Sequence, residues 1–333
     1  MQRSRKTLLI SSGAAVAVIA AALLLYANIR RGATAHASPA PEMFSALPAG
    51  APTLAYVDLA AVRASSFYQH RPDKGPIALP NQDYADFVRS TGFDFEKDLD
   101  RVVIASWPAP SIKEQTKNVV IADGRFDRAK IRDYATRKGK LDRQQGRDVF
   151  LFPTDDRIGW ISVAFLNDHR IALVAGPSIA PLFAGHSDDP GADPARERAA
   201  RLDGAAAFAI TRVPPIPDNV SAGGAQSTQL ASLARSVQWI SLAARPEGDN
   251  VRISLEGECD NSTDAQQLKS TLELMRTFGR AGLESPKTRQ SMDPAALASL
   301  QTLLSNAEVT QAAERVRILV ELTPDIFKLG AGK

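Results

Sequence analysis

Apolar residues run without a charge from Leu8 to Ala27, and after residue 41 they recur with alternating helical and strand periods. The first run, LLISSGAAVAVIAAALLLYA, would at roughly 1.5 Å per residue reach about 30 Å, the thickness of a bilayer's hydrocarbon core. Arg3, Arg5 and Lys6 precede it and Arg30 and Arg31 follow it. This pattern predicts a signal anchor in residues 1–31, with a transmembrane helix over 8–27 in contact with the lipid bilayer. The Ala35-His36-Ala37 sequence has the small-x-small form of a cleavage site, so a secreted form released after Ala37 is the alternative. Residues 32–40, small and proline-rich, read as a flexible tether. The basic N-terminus favours an N-terminus-inside orientation. The expected location is then the inner (cytoplasmic) membrane, single-pass, with the C-terminal domain extracytoplasmic.

Beyond the tether the order of periods appears twice. The first pass carries a strand at 53–58 and a helix at 81–91, then strands at 101–107 and 118–123. A helix follows that is capped by Asp127 and stopped at Gly139, with Ile131, Tyr134 and Ala135 inward. Strands at 160–166 and 170–175 meet across Asn167-Asp168. The second pass opens on Asp193-Pro194, a cap followed by proline at the first helical position, and continues to a strand at 205–211. A helix at 226–234 and strands at 237–244 and 250–257 come next. A helix over 264–278 carries a Thr263/Gln266 capping box and a buried stripe of Leu268, Leu272 and Met275. An inserted helix at 293–304 and a hairpin of 309–311 with 315–322 close the chain.

Asp123-Gly124-Arg125-Phe126-Asp127 falls where Glu256-Gly257-Glu258-Cys259-Asp260 falls in the second pass. The expected class is therefore α+β. It comprises the N-terminal transmembrane helix and two divergent copies of an antiparallel-hairpin-plus-helix unit, residues 41–186 and 193–333, joined by a linker at 187–192.

Several segments resemble an uncharacterised family of bacterial exported or membrane-anchored proteins, over residues 45–185. They are Ala55-Tyr56-Val57-Asp58, Thr91-Gly92-Phe93-Asp94 with Asp98-Leu99-Asp100-Arg101, and Gly124-Arg125-Phe126-Asp127 before a helix. The resemblance implies bacterial origin and export, and its motifs are turns and caps that carry no activity.

Composition narrows the function classes. Forty Lys and Arg against 37 Asp and Glu give a net charge of +3, but five of the basic residues and none of the acids lie in residues 1–31. The rest is near neutral, so no counterion-release argument for a nucleic-acid partner exists. One cysteine, Cys259, excludes an intrachain disulfide, CxxC redox chemistry and multi-cysteine zinc sites. The four histidines show no paired spacing, and neither a nucleophile elbow nor a phosphate loop occurs in the globular part. No catalytic, cofactor-binding or metal residue is assigned, and no cofactor is expected. Asp94, Glu96, Asp98 and Asp100 alternate and would share one strand face, read as solvated. Trp160 and Trp239 lie in strand patterns and read as core. Trp107, at the mouth of a loop, and Tyr68 are the candidate partner contacts. The expected function is a non-enzymatic binding or scaffold module of the bacterial envelope, facing an envelope protein or polymer. An envelope hydrolase with carboxylates converging between the copies is the alternative.

Overall fold

The computed structural model describes residues 41–70, 82–108, 116–153, 159–183, 193–214 and 235–326. The chain divides into two compact units: the first contains 40–57 and 78–197, the second 58–77 and 198–333.

In the first unit, β1 (Thr53–Asp58) is buried along its whole length, and its four central residues, Leu54 to Val57, are apolar without alternation. Helix α1 (Gln82–Thr91) is followed by one helical turn, Phe95–Asp98, and then by the hairpin of β2 (Leu99–Trp107) and β3 (Lys117–Gly124). Helix α2 (Arg128–Lys138) starts on Asp127, whose carboxylate accepts the Lys130 amide at 3.0 Å, and ends on Gly139, whose amide returns to the Ala135 carbonyl. Four further strands follow: β4 (Lys140–Gln144), β5 (Arg147–Pro153), β6 (Trp160–Asn167) and β7 (Arg170–Ala175). The strand order is β1-β2-β3-β7-β6-β5-β4, antiparallel from β2 outward. Ile131 and Ala135 of α2 pack on Phe150, Val163 and Phe165 of the sheet. Phe87 of α1 meets the Tyr134 ring edge-on at 5.2 Å. At about 1.5–3 kcal/mol for each large apolar side chain withdrawn from water, this cluster holds the two helices on the sheet.

The second unit contains two short helices, Leu59–Ala64 and Ser66–Gln69, and the end of helix α3 (Pro194–Ala200). Its strands are β8 (Ala207–Arg212), β9 (Val237–Glu247), β10 (Asn250–Cys259), β11 (Glu308–Ala312) and β12 (Arg315–Leu322), in the order β8-β9-β10-β12-β11, all antiparallel. Between β10 and β11 run α4 (Ser262–Glu284), a short helix Pro286–Ser291, and α5 (Pro294–Asn306). Gly279 lets α4 and α5 approach closely, since a Cβ there would lie 3.3 Å from Leu304 Cδ1.

These findings correct the expected fold class. Hairpins with single covering helices are replaced by continuous antiparallel ladders of seven and five strands, because an isolated hairpin leaves a row of backbone donors and acceptors that the next strand can satisfy. Among the described residues no helix is long and apolar enough to cross a membrane. The longest, α4, carries Asp264, Lys269, Glu273, Arg276, Arg280 and Glu284. The expected transmembrane helix, signal anchor and single-pass membrane topology therefore find no counterpart among the described residues. The apolar run at 8–27, the tether, the Ala37 site, the linker at 187–192 and the helix at 226–234 lie outside the described residues.

Local readings are corrected as well. Met275 is half-exposed, and the inner stripe of α4 is Ala265, Leu268, Leu272, Arg276, Gly279 and Leu283. Asn261, not Thr263, caps α4 by accepting the Asp264 amide. Trp160 begins its strand at the surface, 37% exposed, whereas Trp239 is core. The acids at 94–100 do not share a strand face, because Asp94 caps the 95–98 turn and Asp98 accepts the Asp94 amide.

Candidate functional site

Among the described residues, two groups of arginines stand out. In the first they neutralise buried acids across a ladder. Asp123 on β3 stands opposite Arg101 on β2 and Arg170 on β7, the two strands that flank it. Arg170 donates to it at 2.6 and 2.9 Å and Arg101 at 3.0 Å, and the Asp123 side chain is only 5% exposed. Hydrogen bonding to Asp123, against the cost of burial, holds the Arg170 guanidinium above its ordinary range. The second unit repeats the device: Glu256 on β10 stands opposite Arg317 on β12, which donates at 2.6 and 3.0 Å. Next to it Glu258 accepts from Arg198 and Arg201, and the Arg198 guanidinium lies 4.4 Å over the Trp239 ring. Each of these arginines is committed to an internal acid.

The second group borders a cavity of about 300 Å³ in the first unit, lined by Arg128, Arg132, Arg147, Asp148, Phe150 and Phe165. Its position follows from the β4–β5 hairpin. Gln145 and Gly146 both take positive φ, 52° and 74°, so a two-residue turn sets β5 directly beneath α2. Asp148 and Phe150 share one face of β5 by its two-residue period, and Arg128 and Arg132 share one face of α2 by spacing of four. Phe150 and Phe165 are buried. Arg128 lies 5.2 Å over the Phe165 ring, a cation–π placement. Its nearest carboxylate is Asp168 at 3.6 Å, and that of Arg132 is Asp148 at 3.9 Å, both beyond hydrogen-bond range. Arg147 makes no ion pair among the described residues.

Such an arrangement turns guanidinium N–H donors toward the cavity, the groups that pair with anions. The lining holds no serine, cysteine or histidine, and its one carboxylate has no second carboxylate beside it. Among the described residues no group of three or more His, Cys, Asp or Glu is placed to hold a metal ion.

The two sequence-nominated contacts fall in different units. Tyr68 is 3% exposed and presents no surface to a partner. Trp107 ends β2, half-buried opposite Lys117, and residues 109–115 of the loop that follows it lie outside the described residues.

A further surface feature escaped the sequence reading. Leu274, Met275 and Phe278 stand together on the outer face of α4 at 54%, 49% and 66% exposure. Their spacing of one and four residues, opposite the Leu268–Leu272 stripe, is the signal that could have found them.

No protein-family model matches the chain, and no curated protein sequence matches it. The chain is weakly similar in structure to TP0453. Crystal form III of that protein shares 10% identity over 86% of this chain and 96% of its own, with a TM-score of 0.44. Crystal form I shares 11% over 86% and 95%, with a TM-score of 0.43. A likeness at that level transfers no site and no activity.

Proposed function

We propose that the chain is a non-enzymatic binding or scaffold module of the bacterial envelope, and that it engages a protein partner through the outer face of α4. The observation that carries this reading is the Leu274, Met275 and Phe278 stripe. Single exposed apolar residues are ordinary, but three large ones adjoining on one helix face leave apolar surface that a partner groove would bury at about 25 cal/mol per Å². Methionine in the middle of the stripe suits such a surface, because its flexible thioether repacks against differing shapes. An amphipathic helix laid into an apolar groove is the matching recognition mode. The turn and cap segments that resemble exported bacterial proteins support placement in the envelope.

The test replaces Phe278 with a photo-reactive residue and cross-links the full chain in intact cells, beside a Leu274→Asp/Met275→Asp variant. One reproducible envelope protein captured by the first and lost by the second supports the reading. Capture that never recurs, or that ignores the aspartates, counts against it.

A further inference from the structure

From the arginine-lined cavity of the first unit we infer a binding site for a phosphomonoester, a site independent of the α4 surface. Several arginines elsewhere in the fold are committed to acids. Arg101, Arg170, Arg198 and Arg317 each hydrogen-bond an acid within the protein. Arg128 and Arg132 instead face one cavity from successive turns of α2, with their nearest carboxylates at 3.6 and 3.9 Å. Their N–H groups thus make only long ion pairs with those carboxylates and no hydrogen bond to them, and Arg147 adds a further cation to the lining.

The geometry selects the ligand's chemistry. A guanidinium is a planar fork of donors, and one such fork satisfies both oxygens of a carboxylate. Two forks a helical turn apart need an acceptor with more oxygens arranged in three dimensions, which a terminal phosphate supplies. The aromatic side chains then act on the rest of the molecule. Phe150 and Phe165 line the cavity with buried apolar rings, and about 300 Å³ leaves room for a small ester group beside the phosphate. Asp148 is the single anion in the lining and competes with the ligand for Arg132.

Such a phosphate could be carried by a soluble ester or by a lipid headgroup, and the experiment separates the two. The full chain is titrated calorimetrically with phenyl phosphate and with benzoate, and sedimented with phosphatidylcholine vesicles with and without phosphatidic acid. We expect phenyl phosphate to bind, benzoate to bind far more weakly, and Arg132→Gln or Arg128→Gln to weaken binding by roughly 10-fold or more. Asp148→Asn should tighten it, a gain that a merely structural ion pair would not give. Phenyl phosphate binding without phosphatidic acid sedimentation assigns a soluble ester, and sedimentation without phenyl phosphate binding assigns a lipid headgroup. Both outcomes support the site when the arginine variants abolish them with unchanged thermal melting. No binding by either probe, benzoate equal to phenyl phosphate, or indifference to both arginine variants overturns it.

Discussion

Removing the carboxylate of Asp123 is the sharpest perturbation available in the first unit. Asp123→Asn keeps the volume and deletes the charge that receives three bonds, at 2.6, 2.9 and 3.0 Å. The two arginines respond differently. Arg101 is 32% exposed and has Glu42 at 3.8 Å, so it retains a partner and some water. Arg170 is 12% exposed and donates twice to Asp123, and its other bond, to the Glu42 carbonyl at 3.4 Å, is long, so its charge is left buried and poorly met. Breaking a buried pair by removing one member costs about 3–5 kcal/mol, and the rescue of Arg101 places Asp123→Asn near the lower end, about 3 kcal/mol. Urea unfolding followed by circular dichroism measures this from the midpoint shift at a common slope. Exchanging both members for apolar residues, Asp123→Leu with Arg170→Met, should recover most of the loss, because no charge is then stranded. A single-variant cost below about 1 kcal/mol would refute the reasoning, by showing that water reaches the cluster. So would a double variant as unstable as the sum of its parts, by showing that the two groups do not act as a unit.

Two further outcomes follow from local geometry. A Cβ at Gly139 would stand 2.3 Å from the Leu151 carbonyl oxygen, so Gly139→Ala must push the end of α2 away from β5. A loss of roughly 1–3 kcal/mol in thermal melting is expected, and an unchanged melt would mean the junction yields freely. Burial, then the nearby Asp264, pushes the Cys259 thiol up. The folded protein therefore favours the neutral thiol. That contribution is complete below the unfolded value of about 8.5 and is lost as pH rises through the higher folded value. Iodoacetamide should label Cys259 slowly in native protein and quickly in urea, and rapid native labelling would contradict its burial.

Elements with a single strong period were legible from sequence. The apolar runs of β6 and β7 meeting across Asn167-Asp168, the Asp127 cap and Gly139 stop of α2, and the Pro-initiated α3 all follow local rules that the fold did not need to override. The β4–β5 hairpin was not legible. Its first strand, Lys-Leu-Asp-Arg-Gln, has four polar residues in five, and its turn is Gln-Gly rather than the usual Asn-Gly signal. The α4 stripe was ambiguous for another reason. Its apolar residues support two registers, and the β-sheet selects the one that passes through Arg276, because that guanidinium can donate to the Ala307 carbonyl while its stem packs. The acids at 94–100 look like a strand until Asp94 is seen to cap a turn, a choice between two uses of the same residue types.

The candidate cavity inherits that illegibility. Arg128 and Arg132 at a spacing of four are visible in the sequence as one charged helix face, which by itself is an ordinary solvated surface. What turns the face into a site is the strand beneath it, which brings Phe150, Phe165 and Asp148 into the same volume. The ladder that supports the strand is in turn held by Asp123, which accepts from arginines on both neighbouring strands. The chain thus uses the same side chain for two purposes, and exposure separates them. Beside a nearly fully buried acid an arginine must be paired, because an unmet charge there costs several kcal/mol. Beside the cavity, where Arg128 and Arg132 are exposed, it can stay loosely paired at little cost, since water solvates it until an anion displaces that water. The long ion pairs of Arg128 and Arg132, at 3.6 and 3.9 Å, therefore leave N–H donors for an anion, where the short bonds of Arg101, Arg170 and Arg317 to their acids do not.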